Sequence, residues 1–261
     1  MPRAPSIVLT IAGFDPSSGA GVTADIKTIG AHGCYGVSAI TALTVQSTAG
    51  VREVVPVDPK LLGHTLEELQ RDVKVSAVHI GMLGGGEVVS VVADFLPEAR
   101  LRNVVLDPVF RSSSGAALLD EPGVELVIQR LLPFADVITP NVDEAAALTG
   151  LEVRGPAQMR LAAARLHEMG ARSVVITGGH LSQAIDLLST KGNPVQTYRA
   201  DHVDSPNTHG TGCAFSTAIA CQLALGQSLP MAVLLAKAYV LAAIKHSYSI
   251  GHGPGPVNHM F

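Results

Sequence analysis

The sequence contains no tryptophan, and aromatic residues make up only 4% of its 261 positions. Neither sign of charge dominates, because 18 Lys and Arg residues stand against 22 Asp and Glu residues, for a net charge of −4. The chain therefore lacks the basic field that attracts nucleic acid or anionic membranes, and we expect neither as a partner. With so few aromatic side chains, the core must be built mainly from Ala, Val, Leu and Ile, which is typical of sheets covered by helices.

Cysteine is also scarce, and its spacing fits neither a metal site nor a disulfide framework. The three cysteines are Cys34, Cys213 and Cys221, an odd number that indicates free thiols in a reducing, cytoplasmic compartment. No signal peptide is expected at the N-terminus, and the apolar stretch 231–244 is interrupted by Lys237. The sequence therefore predicts neither export nor membrane insertion.

Short apolar runs alternate along the chain with longer stretches of helical periodicity. We predict strands at 6–12, 37–45, 52–57, 77–80, 103–106, 136–139 and 173–177, and an antiparallel hairpin at 184–189 and 195–199. We predict helices at 22–32, 59–72, 87–96, 121–132, 143–149, 156–169, 211–225 and 230–247. This alternation predicts an α/β fold, a mostly parallel sheet between two helical layers, as a single domain over residues 1–261.

In the last predicted helix, apolar residues recur at helical spacing and are expected to face the core: Met231, Leu234, Leu235, Ala238 and Leu241.

The stretch 208–218, Thr-His-Gly-Thr-Gly-Cys-Ala-Phe-Ser-Thr-Ala, carries the most specific local signal. Gly210 and Gly212 precede an apolar helical run, so backbone N–H groups at the helix start are expected to form a cradle for an anion. Cys213 lies at the mouth of this cradle, where the helix terminus is expected to lower the pKa of its thiol and suit it to guide a proton. The alternative is an ordinary glycine-rich cap with Cys213 packed in the core.

Polar residues follow several predicted strands. Gln46, Asp107, Asn141 and Glu144 all lie at or just beyond strand carboxyl ends, which meet at the ligand-binding edge of an open α/β sheet. We expect these side chains to converge on one crevice. Without further information, Glu144 is more simply explained as an acid in the first turn of a helix.

Other chemistry-bearing residues give weaker signals. Asp25 is explained as well by a first-turn acid as by a contact to a ligand. No metal-ligand spacing connects His79, His180 and His209, so we expect structural histidines.

Taken in order, the motifs of the chain resemble those of the ribokinase-like superfamily, and specifically the hydroxymethylpyrimidine/phosphomethylpyrimidine kinases of thiamine biosynthesis. The motifs run nearly end to end: Thr-Ile-Ala-Gly-Phe-Asp-Pro-Ser-Ser-Gly-Ala-Gly at 10–21, Ala-Ile-Thr-Ala-Leu-Thr-Val-Gln at 39–46, Ile-Gly-Met-Leu at 80–83, Asp-Pro-Val at 107–109, Ile-Thr-Pro-Asn-Val-Asp-Glu-Ala at 138–145, Gly-Gly-His at 178–180, and Asn-Thr-His-Gly-Thr-Gly-Cys at 207–213.

The resemblance implies a ribokinase-like three-layer α/β/α fold and ATP-dependent phosphorylation of 4-amino-5-hydroxymethyl-2-methylpyrimidine, then of its monophosphate. It implies a pyrimidine pocket lined by Gly13, Asp25, Gln46, Met82 and Val109. It places a catalytic anion hole at Gly210, Thr211, Gly212 and Cys213, with the cysteine where sugar kinases of the superfamily carry an Asp base. It assigns nucleotide contacts to Asn141, Thr177 and Gly179, and Mg²⁺ to Glu144 and Asp107. It also suggests a homodimer.

Three departures bear on the substrate. Phe14 stands where the family usually has Ser, Ser47 where Asn is usual, and Phe110 begins a run that commonly ends in a Lys at the position of Ser113. Arg111 is the candidate substitute for that Lys, with a different reach. The nearest rival function is a pyridoxal kinase of the same superfamily, and a rival of another class is a non-catalytic pyrimidine-binding protein.

Overall fold

The apolar runs form the strands of one sheet in the computed structural model, which describes residues 4–112, 115–179 and 184–261. The strands are β1 (Ile7–Phe14), β2 (Tyr35–Ser47), β3 (Gly50–Pro56), β4 (Val75–Ile80), β5 (Val104–Leu106), β6 (Val137–Ile138), β7 (Ser173–Ile176), β8 (Ala184–Thr190) and β9 (Gln196–Ala200). The helices are α1 (Gly21–Ala31), α2 (Pro59–Asp72), α3 (Gly86–Ala99), α4 (Glu121–Leu126), α5 (Val142–Thr149), α6 (Pro156–Glu168), α7 (Thr211–Ala224) and α8 (Leu229–Lys245).

The strand order in the sheet is β3-β2-β1-β4-β5-β6-β7-β8-β9. The six strands from β2 to β7 in that order run parallel, whereas β3, β8 and β9 pair antiparallel to their neighbours. This confirms the predicted mostly parallel sheet and the predicted hairpin. It also brings the carboxyl ends of β1, β4, β5, β6 and β7 to one edge.

Side-chain alternation along the strands divides the core into two layers. Leu9 and Ile11 of β1 pack in the layer that contains buried residues of α2, α3, α5 and α6, whereas Val8 packs on the opposite face with residues of α1, α7 and α8. The central strands are buried on both faces, as the apolar runs predict.

The predicted helix at 121–132 is interrupted. The α-helix ends at Leu126, and residues Val127–Leu131 form a π-helical turn in which the Leu132 amide donates to the Val127 carbonyl at 2.9 Å. The wider turn buries Val127, Leu131 and Leu132 together. A period of 3.6 residues cannot anticipate this local change of register.

The prediction that the stripe in α8 faces the core is wrong. Met231 is 42% and Leu234 48% exposed, and the same face carries Leu235, Ala238 and the partly exposed Leu241. The opposite face is buried, with Ala232, Val233, Ala236 and Lys237 toward the sheet layer. Because α8 is apolar nearly all round, periodicity does not show which face packs, and the small alanines allow the closest approach.

In the part of the chain that the structure describes, no helix combines the length and apolarity that a bilayer span requires.

Candidate active site

The N-terminus of α7 lies at the carboxyl edge of the sheet and has the geometry of the predicted anion cradle. Gly210 precedes the helix with φ of 85°, in the left-handed region, and a Cβ placed on it would lie 1.8 Å from the carbonyl oxygen of Gly19. Only glycine fits this position. No side chain of the described residues caps the helix, so the amides of Gly212 and Cys213 in its first turn have no acceptor within the helix.

Asp107 follows β5 and lies beside this cradle. A Cβ on Gly212 would lie 3.9 Å from Asp107 Oδ2, and the Ser216 hydroxyl donates to the same oxygen at 3.1 Å. Burial raises the pKa of the Asp107 carboxyl to about 6, against the opposing effects of the His79 charge and the Ser216 hydrogen bond. These contacts place Asp107 beside the start of α7, and its role toward a ligand stays a prediction.

Asp25 lies beneath the cradle rather than at the surface of the pocket. Its carboxylate accepts from Thr10 Oγ1 at 2.6 Å and from Thr217 Oγ1 at 2.8 Å, and it is 0% exposed. The structure contradicts the prediction that Asp25 lines the open pyrimidine pocket, because protein groups occupy both carboxylate oxygens. The alternative is also wrong, since the first turn of α1 contains no acidic residue.

His79 connects Asp25 to the cradle. Its Nδ1 lies 3.2 Å from Asp25 Oδ2, and its Nε2 lies 2.9 Å from Ser216 Oγ. Burial alone would lower the pKa of this imidazole, but the charge and hydrogen bond of Asp25 outweigh it and raise the pKa. The expectation of a structural histidine is confirmed for His79, although its place between two carboxylates gave no sequence signal.

The pKa prediction for Cys213 is wrong. Burial raises the pKa of the Cys213 thiol well above its usual range, and the nearby Asp25 and Asp107 carboxylates raise it further. The residue keeps partial solvent access, but enough protein surrounds the sulfur for desolvation to outweigh the helix terminus. At neutral pH the free protein therefore holds Cys213 as a thiol.

The loop after β1 packs against the cradle, with the Gly19 carbonyl next to Gly210. The sequence analysis missed Asp15, the residue that organises this loop. Asp15 Oδ2 accepts from the backbone amides of Gly19 at 3.2 Å and Ala20 at 2.9 Å, and lies 2.9 Å from His209 Nε2. Burial would raise the pKa of Asp15, but hydrogen bonds from His209 and Ser17 outweigh it and lower the pKa. The signal that could have found it is the Asp-Pro-Ser-Ser-Gly turn, in which Asp pairs with backbone amides further along the chain.

Three of the predicted pyrimidine-pocket residues come together beside this loop. A Cβ on Gly13 would lie 2.9 Å from Met82 Sδ, so Met82 lies directly over the Gly13 backbone. The carbonyl of Gln46 accepts from Thr44 Oγ1 at 3.1 Å, and its Nε2 lies 3.5 Å from His209 Nε2. Because the Gln46 amino group has two N–H donors and His209 can engage only one of them, the other can donate to a ligand.

Val109 lies on the Asp107 side of the crevice. Its amide donates to the Asp107 carbonyl at 2.9 Å. Together with Gly81, Asp107 and Phe110, it lines a cavity of about 10 Å³, room for roughly one water molecule. Phe110 is 8% exposed and therefore fills space in this cavity lining; its effect on the substrate pocket stays a prediction.

Asn141 and Glu144 begin α5 with a reciprocal cap. Asn141 Oδ1 accepts from the amides of Asp143 and Glu144, both at 2.9 Å, and Glu144 Oε2 accepts from the Asn141 amide at 2.8 Å. The interpretation of Glu144 as a first-turn acid is confirmed. Burial raises the pKa of Glu144 to about 9, and the charge of Asp107 adds to this.

The carboxylates of Asp107 and Glu144 suit a divalent cation that is bound jointly with substrate phosphates. Among the described residues, no group of three or more His, Cys, Asp or Glu side chains forms a metal cage. Mg²⁺ in phosphoryl-transfer sites commonly needs only one or two carboxylates, since water and phosphate oxygens supply its other ligands. Two mutually repelling carboxylates, Asp107 and Glu144, are the donor set that such a cation stabilises.

The predicted nucleotide residues lie where β7 ends. Thr177 donates its amide to the Pro140 carbonyl at 2.9 Å and forms a bridge with Asn141. Gly179 is exposed, and a Cβ placed on it would meet no atom within 4 Å. His180 and the position of the expected lysine at Ser113 lie outside the described residues.

Comparison with known proteins places the chain among relatives of one kind. A profile of the phosphomethylpyrimidine kinase family matches residues 15–258. The hydroxymethylpyrimidine/phosphomethylpyrimidine kinase of Haemophilus influenzae is 43% identical over 258 residues, covering 97% of this chain and 96% of that protein.

Solved structures give the same result for the fold. A phosphomethylpyrimidine kinase from Clostridium difficile has a TM-score of 0.82 at 37% identity, covering 92% of this chain and 99% of the other. The pyridoxal kinase from Staphylococcus aureus in complex with AMP-PCP and pyridoxal has a TM-score of 0.91 at 33% identity, covering 99% and 94%. These likenesses confirm the expected ribokinase-like fold.

Proposed function

The chain belongs to the phosphomethylpyrimidine kinase family, and we propose that it transfers the γ-phosphoryl group of ATP to 4-amino-5-hydroxymethyl-2-methylpyrimidine and then to the resulting monophosphate. Both steps belong to thiamine biosynthesis. The observation that carries this proposal is the uncapped start of α7, with free amides at Gly212 and Cys213 beside Asp107. Such a cradle stabilises a transferring phosphoryl group, whereas simple pyrimidine binding does not require it.

In the first step, the substrate hydroxyl oxygen attacks the γ-phosphorus, the bond to the β-phosphate oxygen breaks, and ADP leaves. Charge spreads over the phosphoryl oxygens in the transition state. The amides of Gly212 and Cys213 are aimed at this charge. Asp107 and Glu144 would hold Mg²⁺, which neutralises phosphate charge when bound.

Cys213 contributes as a neutral thiol and through its backbone amide. Its raised pKa argues against a thiolate base in the free protein. In a loose phosphoryl-transfer transition state the attacking hydroxyl needs little deprotonation, so its proton can leave late. We therefore assign the larger catalytic effect to the cradle amides.

Pyrimidine selection rests on Gln46 and Met82. The free amino group of Gln46 suits a ring nitrogen, and its carbonyl suits an exocyclic amine, a pairing that the aminopyrimidine offers. Met82 packs over Gly13 and supplies an apolar surface for a flat ring. We assign the pyrimidine to this pocket, with Val109 on the opposite side.

ATP is assigned to the edge formed by Asn141, Thr177 and Gly179. A homodimer is proposed through the outer face of β2 and β3, where Leu43 is 51%, Val45 49% and Val55 48% exposed. Adjacent exposed apolar side chains of this kind mark an interface. Free thiols at the three cysteines support a reducing, cytoplasmic compartment.

The experiment is ADP release with Mg-ATP and each of three acceptors: the hydroxymethylpyrimidine, its monophosphate and pyridoxal. Pyridoxal is included because the Staphylococcus aureus pyridoxal kinase shares this fold so closely. We expect turnover on both pyrimidines, with KM raised in Gln46→Ala and little change in the surface control Gln196→Ala. Turnover on pyridoxal alone would overturn the pocket assignment, and pyrimidine binding without turnover would favour a binding protein.

A further inference from the structure

A buried ion pair joins α8 to β8, outside the residues assigned above. Lys237 Nζ donates to Asp186 Oδ2 at 2.6 Å and to the Ala184 carbonyl at 3.2 Å. Lys237 is 7% and Asp186 5% exposed. Apolar side chains of similar volume often replace a buried ion pair without loss of stability, because burying two charges carries a large desolvation penalty. Packing alone therefore does not account for this pair.

The second oxygen of Asp186 reaches the backbone at the end of β7. Asp186 Oδ1 accepts from the Gly178 amide at 3.1 Å. The ladder between β7 and β8 ends at the pair Ile176 and Leu187, so Gly178 lies beyond the reach of strand pairing. One carboxylate thus replaces the missing ladder bond and is itself held by Lys237.

Strand alternation explains how a single side chain meets both partners. Asp186 shares its face of β8 with Leu188, which packs in the layer of α7 and α8. Lys237 approaches from α8 on that same side. Both side chains of the ion pair therefore start from regular elements, β8 and α8, and not from a loop.

We propose that Lys237 and Asp186 are positioning residues for the nucleotide, acting through the backbone of residues 177–179. Thr177 is held from one side by the Pro140 carbonyl, and Gly178 is held from the other by Asp186. The two contacts fix the direction in which the chain leaves β7 and presents Gly179 to the crevice. This inference rests on the proposed function, since it assigns support to its nucleotide edge.

The test replaces the pair with apolar side chains of similar size in Asp186→Leu/Lys237→Met. The matched control is Ser189→Ala, which removes another buried polar contact of β8, the one from Ser189 Oγ to His167 Nε2 at 2.9 Å. Calorimetry measures the dissociation constants of ADP and of 4-amino-5-hydroxymethyl-2-methylpyrimidine, and thermal unfolding checks the fold. Asp186→Asn, which keeps an oxygen for Gly178 but loses the charge, is measured in parallel.

We expect the ADP dissociation constant to rise about tenfold in the double variant, with the pyrimidine constant and the Ser189→Ala values within about twofold of the unmodified protein. Unchanged ADP binding in a folded double variant would overturn the proposal, and so would equal weakening of both ligands. If the double variant does not fold, Asp186→Asn decides: it loses the ion pair with Lys237 that holds the side chain in place for Gly178, so a rise is expected in the ADP constant alone.

Failure of the proposed function gives a different result. In that case the unmodified protein itself would bind no ADP. Hydrogen exchange of the Gly178 amide would still test the contact, because we expect this amide to exchange faster in the double variant than in Ser189→Ala. An unchanged exchange rate would show that Asp186 does not hold this backbone.

Discussion

Gly210→Ala is the sharpest test of the cradle, because another glycine supplies its control. Gly210 has φ of 85° and Gly226 has φ of 86°, so alanine at either position carries the same left-handed backbone strain, roughly 1–2 kcal/mol. At Gly226 a Cβ meets nothing within 4 Å, whereas at Gly210 it would lie 1.8 Å from the Gly19 carbonyl oxygen. The two variants therefore differ by the steric clash alone.

The clash sets the expected magnitude. An ordinary contact between a Cβ and an oxygen exceeds 3 Å, so the cradle and the loop at Gly19 must separate by more than about 1 Å, enough to reduce turnover about 10²-fold. We expect Gly226→Ala to lower the melting temperature by a few degrees, on the order of 2–4 °C per kcal/mol, with kcat unchanged. Gly210→Ala should lose more stability as well as kcat.

The assay compares kcat for ADP release and the melting temperature in both variants and the unmodified protein. Equal kcat and equal melting temperatures for Gly210→Ala and Gly226→Ala would refute the reasoning, since the clash would then have no consequence. A loss of kcat in Gly226→Ala would refute it too, because that glycine lies at the far end of α7, beyond its last residue.

Three further predictions follow from titration. The pKa of Glu144 is raised to about 9 in the folded, metal-free protein, so the folded state holds a proton that the unfolded state loses, and stability falls as pH rises from 4.5 toward 9. Glu144→Gln keeps the reciprocal cap and should remove this decline in melting temperature, measured with EDTA present; a persisting decline would contradict the prediction. The Cys213 thiol has a raised pKa, so iodoacetamide should label it more slowly at pH 8 than an ordinary thiol, as followed by peptide mass spectrometry; rapid labelling would restore the thiolate hypothesis. Burial lowers the pKa of His259 to about 4, so the stability that its neutral form contributes is complete above pH 6.5 and is lost as pH falls toward 4. His259→Asn should reduce the change of melting temperature with pH across that window, and an unchanged slope would show that another group causes it.

The sequence was sufficient for features that depend on local pattern. The alternation of short apolar runs with helical stretches predicted the mostly parallel sheet. Gly210 and Gly212 predicted the sharp turn into α7. The predicted helix at 143–149, with Glu144 as an acid in its first turn, corresponds to α5, where the structure shows a reciprocal cap between Asn141 and Glu144. Each of these signals lies within a few residues, where propensity and hydrogen-bonding capacity decide the outcome.

Features that depend on distant contacts could not be predicted in this way. The lowered pKa expected for Cys213 considered the helix terminus alone, whereas burial and the distant Asp25 and Asp107 reverse its direction. The network from Asp25 through His79 to Ser216 joins three elements, and its contact from His79 to Ser216 spans 137 residues of sequence. Hydrophobic periodicity contains no information about such buried polar contacts.

This network explains how the cradle keeps its direction. The buried side of α7 is built largely from small residues such as Ala214, Ala218 and Ala220, and small apolar surfaces can pack with similar energy after a slight rotation or slide. Hydrogen bonds lack this tolerance, since they weaken steeply away from their preferred length and angle. Ser216 bonded to Asp107 and Thr217 bonded to Asp25 therefore fix the rotation of α7 at two adjacent positions. Because the Gly212 and Cys213 amides lie one turn earlier, fixing that rotation also fixes the direction in which these two amides point.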